Sequence, residues 1–294
     1  MTSHRETEGD AEDHDLGLAH DLPRLLTRRH ALSALGILGL GATGLGLAAC
    51  GNGTAPAAGS GNAPSGPPPG SASGASGGAD GGTVVGDGEI PEETAGPYPA
   101  DGSNGVDVLS QSGVVRSDIR SSFGDASGTA TGVPLAIELT VIDLQGSDRA
   151  PLEGAAVYLW HCDSTGRYSM YSSGIESENY LRGVQVSDAD GLVRFISIYP
   201  GCYSGRWPHV HFEVYPSVDD ATAAANRLRT SQMALPQETS EAVYARSDYG
   251  DSSSNLAQSS LSSDMVFSDG YSLQMAKVTG EANSGYTARL NVPV

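Results

Sequence analysis

From Val133 onward, short runs of β-branched and aromatic residues alternate with clusters of Gly, Pro, Asp and Ser. Leu135-Ala136-Ile137-Glu138-Leu139-Thr140-Val141-Ile142 repeats its large apolar side chains every second position and stops at Asp143 and the turn-like Gly146-Ser147-Asp148. A period of two puts alternate residues on opposite faces of a strand. Residues 156–160, bounded by Gly154 and by Asp163-Ser164-Thr165-Gly166, form a second run. Residues 192–198 alternate and stop at Pro200-Gly201, and residues 209–215 alternate as well. Near the C-terminus, residues 264–268, 272–278 and 286–292 read as three further strands. Only the Ala-rich stretch after Ser217 and residues 236–245 read as helical. Short strands with Gly-rich turns and no βαβ rhythm predict an all-β fold, an antiparallel β-sandwich with a few short helices in long loops.

The N-terminal 87 residues follow another pattern. Arg28-Arg29 precede an uncharged, Gly-rich apolar run from Ala34 to Ala49. That run is shorter than the roughly 20 residues needed to span a bilayer, so residues 1–50 read as an export signal. Thr27-Arg28-Arg29-His30-Ala31-Leu32 resembles a twin-arginine signal, with Ala31 where Phe is usual. Leu47-Ala48-Ala49-Cys50-Gly51 resembles a lipobox, in which Cys50 would be lipidated; an ordinary signal peptide with an incidental Cys50 is the other reading. Residues 51–87 are Gly, Ala, Ser, Pro and Asn with little to bury, a flexible tether spanning roughly 30 Å. Residues 88–294 are then the folded domain, exported to the cell surface or beyond, with membrane contact only through a lipid on Cys50.

Charge narrows the partners. Of the 294 residues, 35 are acidic and 16 basic, and beyond residue 50 there are 28 acidic against 12 basic. No basic stripe is available to neutralise phosphates, which argues against nucleic acid.

Chemistry concentrates around the three histidines beyond residue 50: His161, His209 and His211. In His209-Val210-His211, a strand conformation turns both imidazoles to one face, a natural pair of metal ligands, although such pairs also occur as half-buried strand residues. Four segments occur in order: Trp160 through Gly166-Arg167-Tyr168; the turn Asp188-Ala189-Asp190-Gly191; Pro200-Gly201-Cys202-Tyr203; and Arg206-Trp207-Pro208-His209-Val210-His211-Phe212. Over roughly residues 90–294 these segments resemble the intradiol ring-cleavage dioxygenases, non-haem iron(III) enzymes that open catechols between the two hydroxyl-bearing carbons.

The resemblance implies a ferric ion held by Tyr168, Tyr203, His209 and His211. Anionic phenolate oxygens suit hard iron(III), and the set differs from the two-His, one-carboxylate site of iron(II) oxygenases. It implies a catalytic role for Tyr203, displaced by the arriving catecholate, and for Arg206, whose cation would stabilise negative charge developing on the ring. Gln232 falls where the family places a Gln near the same pocket. Thr94-Ala95-Gly96-Pro97-Tyr98-Pro99 resembles a family segment expected at the cleft entrance, with Ala and Pro as departures. Tyr203 and His209 are separated by only five residues, which predicts a shortened pocket wall. His161 reads as a core or supporting residue, and Asp188–Gly191 as a turn rather than a calcium loop. Cys162 and Cys202 lie on segments that must converge, which leaves a disulfide and a pair of buried thiols as alternatives.

The expected function is insertion of both atoms of O2 into a catecholic ring to give a muconate-type dicarboxylic acid. Two other classes stand beside it: a surface-displayed sandwich that binds iron or catechol-type ligands without turnover, and a sandwich whose His pair binds zinc or copper.

Overall fold

The structure, a computed structural model, describes residues 88–145 and 149–294. The expected signal and tether, residues 1–87, lie outside the described residues, as does the Gly146-Ser147-Asp148 turn.

Among the described residues nine strands form two sheets. The first is built on β1 (Pro134–Asp143), which is flanked on one edge by β2 (Ala150–Pro151) together with a later strand, Leu192–Ile198. The second contains β3 (Ala156–Trp160), β4 (Arg182–Val186), β6 (His209–Tyr215) and β7 (Arg229–Ala234), with Leu192–Ile198 counted as β5; its order is β4-β3-β6-β7, antiparallel throughout. The other edge of β1 pairs with β9 (Gly285–Pro293), which in turn pairs antiparallel with β8 (Lys277–Glu281). The β1–β9 pair is parallel, the one departure from the expected antiparallel pattern among these strand pairs.

The core lies between the sheets. Leu135, Ile137, Leu139 and Val141 of β1 meet Val157 and Leu159 of β3 and Val210, Phe212 and Val214 of β6. Burying each such side chain contributes about 1.5–3 kcal/mol, so the alternation itself drives the layering. Beyond the sandwich, the outer face of the four-stranded sheet is also covered. Ala100, Val108, Leu109 and Val114 pack on Ala156, Tyr158 and Trp160, and every residue of β3 and β6 is buried. This second layer makes the polar face of β6 an interior.

Three of the expected elements differ. Residues 264–268 form turns, because the Asp264 carboxylate accepts the backbone N–H groups of Val266 (2.8 Å) and Phe267 (3.3 Å), which competes with strand pairing. Of residues 272–278, only the end belongs to β8; Met275 makes a single bridge to Ala234. After Ser217 the chain makes turns and one short 3-10 turn, Ala224–Asn226, whereas the helix expected at 236–245 is present as α1 (Gln237–Tyr244). A second helix, α2 (Ser252–Ala257), was not foreseen; its Ser252 Oγ accepts from the Cys202 N–H and its Asn255 donates to the Cys202 carbonyl, pinning the residue before Tyr203.

Candidate metal centre

The β6 register places His209 and His211 on the face away from the sandwich core, as their spacing predicts. Directly across the sheet, Trp160 is opposite His211 on one side and Gln232 opposite it on the other, with Arg182 opposite Trp160. One row of this sheet face thus reads Arg182, Trp160, His211, Gln232. The Trp160 indole lies flat on the His211 ring, with centroids 4.9 Å apart and planes at 7°.

Two loops bring the tyrosines over this row. Gly201 approaches the 163–166 loop so closely that a Cβ there would lie 2.7 Å from the Ser164 carbonyl oxygen. Gly166, with φ +86°, faces the Tyr203 Cβ at 3.1 Å. Only glycine tolerates both the approach and the positive φ. The outcome is a chain of contacts among four side-chain ends: Tyr168 Oη to Tyr203 Oη is 3.4 Å, Tyr203 Oη to His209 Nε2 is 3.2 Å, and His209 Nε2 to His211 Nε2 is 3.1 Å. All four side chains expected as ligands are brought together. Tyr168, His209 and His211 are buried, whereas Tyr203 is half-buried, the most exposed of the four.

The donor set fits a hard cation. Ligand atoms about 2.0–2.2 Å from one ion at tetrahedral angles lie about 3.3–3.6 Å apart, close to the separations found here. Burial pushes the His209 imidazole down to about 3, and His211 well below the usual range, so both rings are neutral and carry lone pairs. His209 Nδ1 donates to the Trp207 carbonyl, which turns its Nε2 lone pair toward the other three atoms. Burial also pushes the Tyr203 phenol up to about 12, and Tyr168 well above its ordinary value. Without a cation the phenols stay protonated; a multivalent cation offsets the cost of ionising them. Among the described residues no group of three or more His, Cys, Asp and Glu side chains gathers as metal ligands, so a metal at this place would need the tyrosine oxygens beside the two histidines.

Arg206 is buried beside this cluster. Its Nε donates to Asp264 Oδ2 at 3.0 Å and its Nη2 to Gln232 Oε1 at 2.6 Å, while Gln232 Nε2 donates to the Thr94 carbonyl at 2.9 Å. Gln232 therefore sits against the expected site, holding the guanidinium plane on its second edge. The 94–99 segment lines the same space: a Cβ on Gly96 would lie 3.4 Å from His211 Cε1, and the Tyr98 ring packs on Tyr168 at 5.0 Å.

His161 stays in the core. It is 1% exposed, with Nδ1 donating to the Cys162 carbonyl and Nε2 accepting from Ser197 Oγ, both at 2.7 Å. Asp188–Gly191 is a turn: the Asp188 side chain accepts from the Asp190 and Leu192 N–H groups. Of the two alternatives for Cys162 and Cys202, the structure holds free thiols. The segments converge, but Cys162 packs in the outer cluster and Cys202 in the sandwich core, and each Sγ faces a backbone carbonyl, Gly201 and Arg206 respectively, at 3.5 Å. Sequence reasoning missed Asp264 and Arg182. Asp264 sits in a Ser-rich stretch with no motif, and Arg182 lies on a strand with too little apolar alternation to be foreseen.

Comparison with known proteins places the domain. Residues 116–221 match the family model described as Dioxygenase. The chain is 35% identical over 100 residues to catechol 1,2-dioxygenase 1 of Acinetobacter lwoffii, covering 28% of this chain and 31% of that protein. It is 30% identical over 135 residues to the intradiol ring-cleavage dioxygenase hqdA of Aspergillus niger, covering 40% and 39%. The chain thus spans less than half the length of these relatives. Among solved structures, an intradiol ring-cleavage dioxygenase from Tetranychus urticae superposes with a TM-score of 0.50 at 24% identity, covering 61% of this chain and 86% of that one, a likeness of fold. The family match falls within the described domain, on the stretch from Arg116 to Ala221 that includes Tyr168 and Tyr203. Within the matched segments the chain is similar to intradiol ring-cleavage dioxygenases.

Proposed function

We propose that this protein is a ferric intradiol dioxygenase that cleaves a catecholic ring with O2 to a muconate-type dicarboxylic acid. The observation that carries the reading is the run of 3.1–3.4 Å contacts linking the ends of Tyr168, Tyr203, His209 and His211. These four residues would hold the iron. When bound, the ferric ion supplies a Lewis acid that takes the catecholate and activates its ring toward dioxygen.

The chain's own residues do the rest. Tyr203, the half-buried member, would be the one to give way to a substrate oxygen, and its Oη would then be basic enough to take up a substrate hydroxyl proton. Tyr168, His209 and His211, all buried, remain in place. The Arg206 cation, close enough to Tyr203 and Tyr168 to interact with both, would stabilise negative charge growing on the ring; Asp264 and Gln232 fix its plane beforehand, so no reorganisation is needed during reaction. Tyr98, packed on Tyr168, supplies an aromatic wall for a planar substrate.

Oxygen uptake by iron-loaded protein on addition of catechol tests this reading. A reddish protein that consumes oxygen with catechol supports it; iron uptake and colour without oxygen consumption would instead make the domain a binding module.

From the sequence of residues 1–87 we also propose export, with Cys50 lipidated and the domain held on a flexible tether. Intact mass of the protein from its native host tests this: a lipid-modified N-terminal Cys50 is expected, and an unmodified N-terminus at another residue would contradict it.

A further inference from the structure

Arg182 on β4 is 1% exposed, and its guanidinium bonds go to neutral oxygens. Nε donates to Ser169 Oγ at 3.1 Å and Nη2 to the Ser169 carbonyl at 2.9 Å. Nη1 donates to the Pro99 carbonyl at 3.0 Å and to Tyr158 Oη at 3.1 Å. The cation also lies 5.4 Å from the Tyr171 ring centroid. One side chain therefore grips three stretches: the 94–99 segment, β3, and the loop that begins at Tyr168. A buried charge is costly to place, and four hydrogen bonds to neutral groups only partly offset its lost hydration.

The backbone around this hub is strained. Among the described residues three non-glycine residues have positive φ: Ala100 at +52°, Met170 at +70° and Leu181 at +57°. Each directly adjoins a member of the hub, namely Pro99, Ser169 and Arg182 itself. Such conformations persist only where surrounding contacts over-determine them, and they concentrate at functional sites.

We propose that Arg182 is a positioning residue, a clamp that holds the strained Tyr168–Ser172 loop against the Gly96–Pro99 segment and so fixes where the Tyr168 oxygen points. Its value for catalysis rests on the reading of Tyr168 as an iron ligand; the clamp itself does not. The fork geometry matters as well as the charge. Lysine, a single compact ammonium, cannot serve the Ser169 carbonyl, Ser169 Oγ and Pro99 carbonyl together.

Hydrogen exchange on the metal-free full chain tests the clamp directly. The Tyr168 N–H donates to Ser172 Oγ, that of Met170 to the Ile175 carbonyl, and those of Tyr171 and Ser172 to the Tyr168 carbonyl, so all four report on the loop. In Arg182→Gln these amides should exchange about 10- to 100-fold faster relative to those of Val157–Leu159 and Val210–Val214, with Arg182→Lys intermediate. Ser169→Ala removes one acceptor and leaves Arg182 in place; it should give the same selective pattern, smaller, even if Arg182→Gln does not fold. Acceleration of loop and strand amides by the same factor, or of neither, overturns the proposal. Iron(III) titration separates the two readings. If wild type binds iron, Arg182→Lys should bind it about tenfold more weakly. If wild type takes up no iron while the loop still loosens selectively, the functional reading fails and the clamp stands.

Discussion

Arg206 and Asp264, 58 residues apart in sequence, are joined by a 3.0 Å bond from Nε to Oδ2, and the same oxygen accepts the Trp207 N–H at 2.6 Å. The carboxylate is held below its usual range, with burial opposed by the Arg206 charge and the backbone donors. The two residues are not equivalent. Asp264 keeps three backbone donors if Arg206 is removed, whereas Arg206 loses its only carboxylate if Asp264 is removed. Asp264→Ala should cost about 3–5 kcal/mol in denaturant unfolding, the scale for stranding one half of a buried pair. Arg206→Met should cost clearly less stability, leave the iron colour in place and lower turnover about 10²–10³-fold. Equal stability losses in the two variants would contradict this division of roles.

Tyr168→Phe and His211→Ala each delete one of the four donor atoms proposed to hold iron. Both variants should lose iron and oxygen uptake while keeping the sandwich, whose core lies on the other face of β6. Iron content at the wild-type level, measured on the purified variants, would remove these residues from the site.

Gly96 and Gly124 provide a matched pair. Their φ angles are +72° and +69°, so alanine strains both backbones by about 1 kcal/mol. A Cβ at 124 meets nothing within 4 Å, but at 96 it touches His211 Cε1 and lies 3.9 Å from Nε2. Thermal melts should therefore fall alike. Only Gly96→Ala should lower kcat/KM, by about tenfold, as crowding shifts the reacting groups. Equal kinetics in the two variants would show that the 94–99 segment does not border the reaction.

His161 sets a pH limit on stability. Burial holds its folded-state value down to about 4, against 6.5 for an exposed imidazole. The unfolded chain therefore takes up a proton first as pH falls. Stability from this residue is complete above pH 6.5, falls by about 1.4 kcal/mol per unit between 6.5 and 4, and changes no further below 4. His161→Gln should flatten the stability–pH slope across that window by the equivalent of one proton. An unchanged slope would mean that the imidazole is already charged in the folded state.

The sandwich and the cluster of Tyr168, Tyr203, His209 and His211 were legible in the sequence for different reasons. The alternation in β1 and β6 reads directly, because one face of each strand meets the core. The shared direction of His209 and His211 follows from the same period, and Tyr168 and Tyr203 were reached through short loop motifs fixed by Gly166 and Gly201. The strands β4 and β7 stayed hidden. Arg182-Gly183 and Thr230-Ser231-Gln232 are polar yet buried, since the second layer covers the outer face and converts it into a polar interior. Asp264 is a partner chosen by tertiary approach over 58 residues, with no local pattern to announce it. The strand expected at 264–268 failed for a local reason: the Asp264 carboxylate captures the N–H groups of Val266 and Phe267 that a strand would have used.

The central claim is that this chain performs intradiol cleavage. Isotopic labelling tests it most directly: iron-loaded protein is given catechol under ¹⁸O2 and the product is weighed by mass spectrometry. The account predicts a muconate-type dicarboxylic acid that carries label from both atoms of the dioxygen. A ring opened beside the hydroxyl-bearing carbons, or no ring-opened product from fully iron-loaded protein, would contradict it.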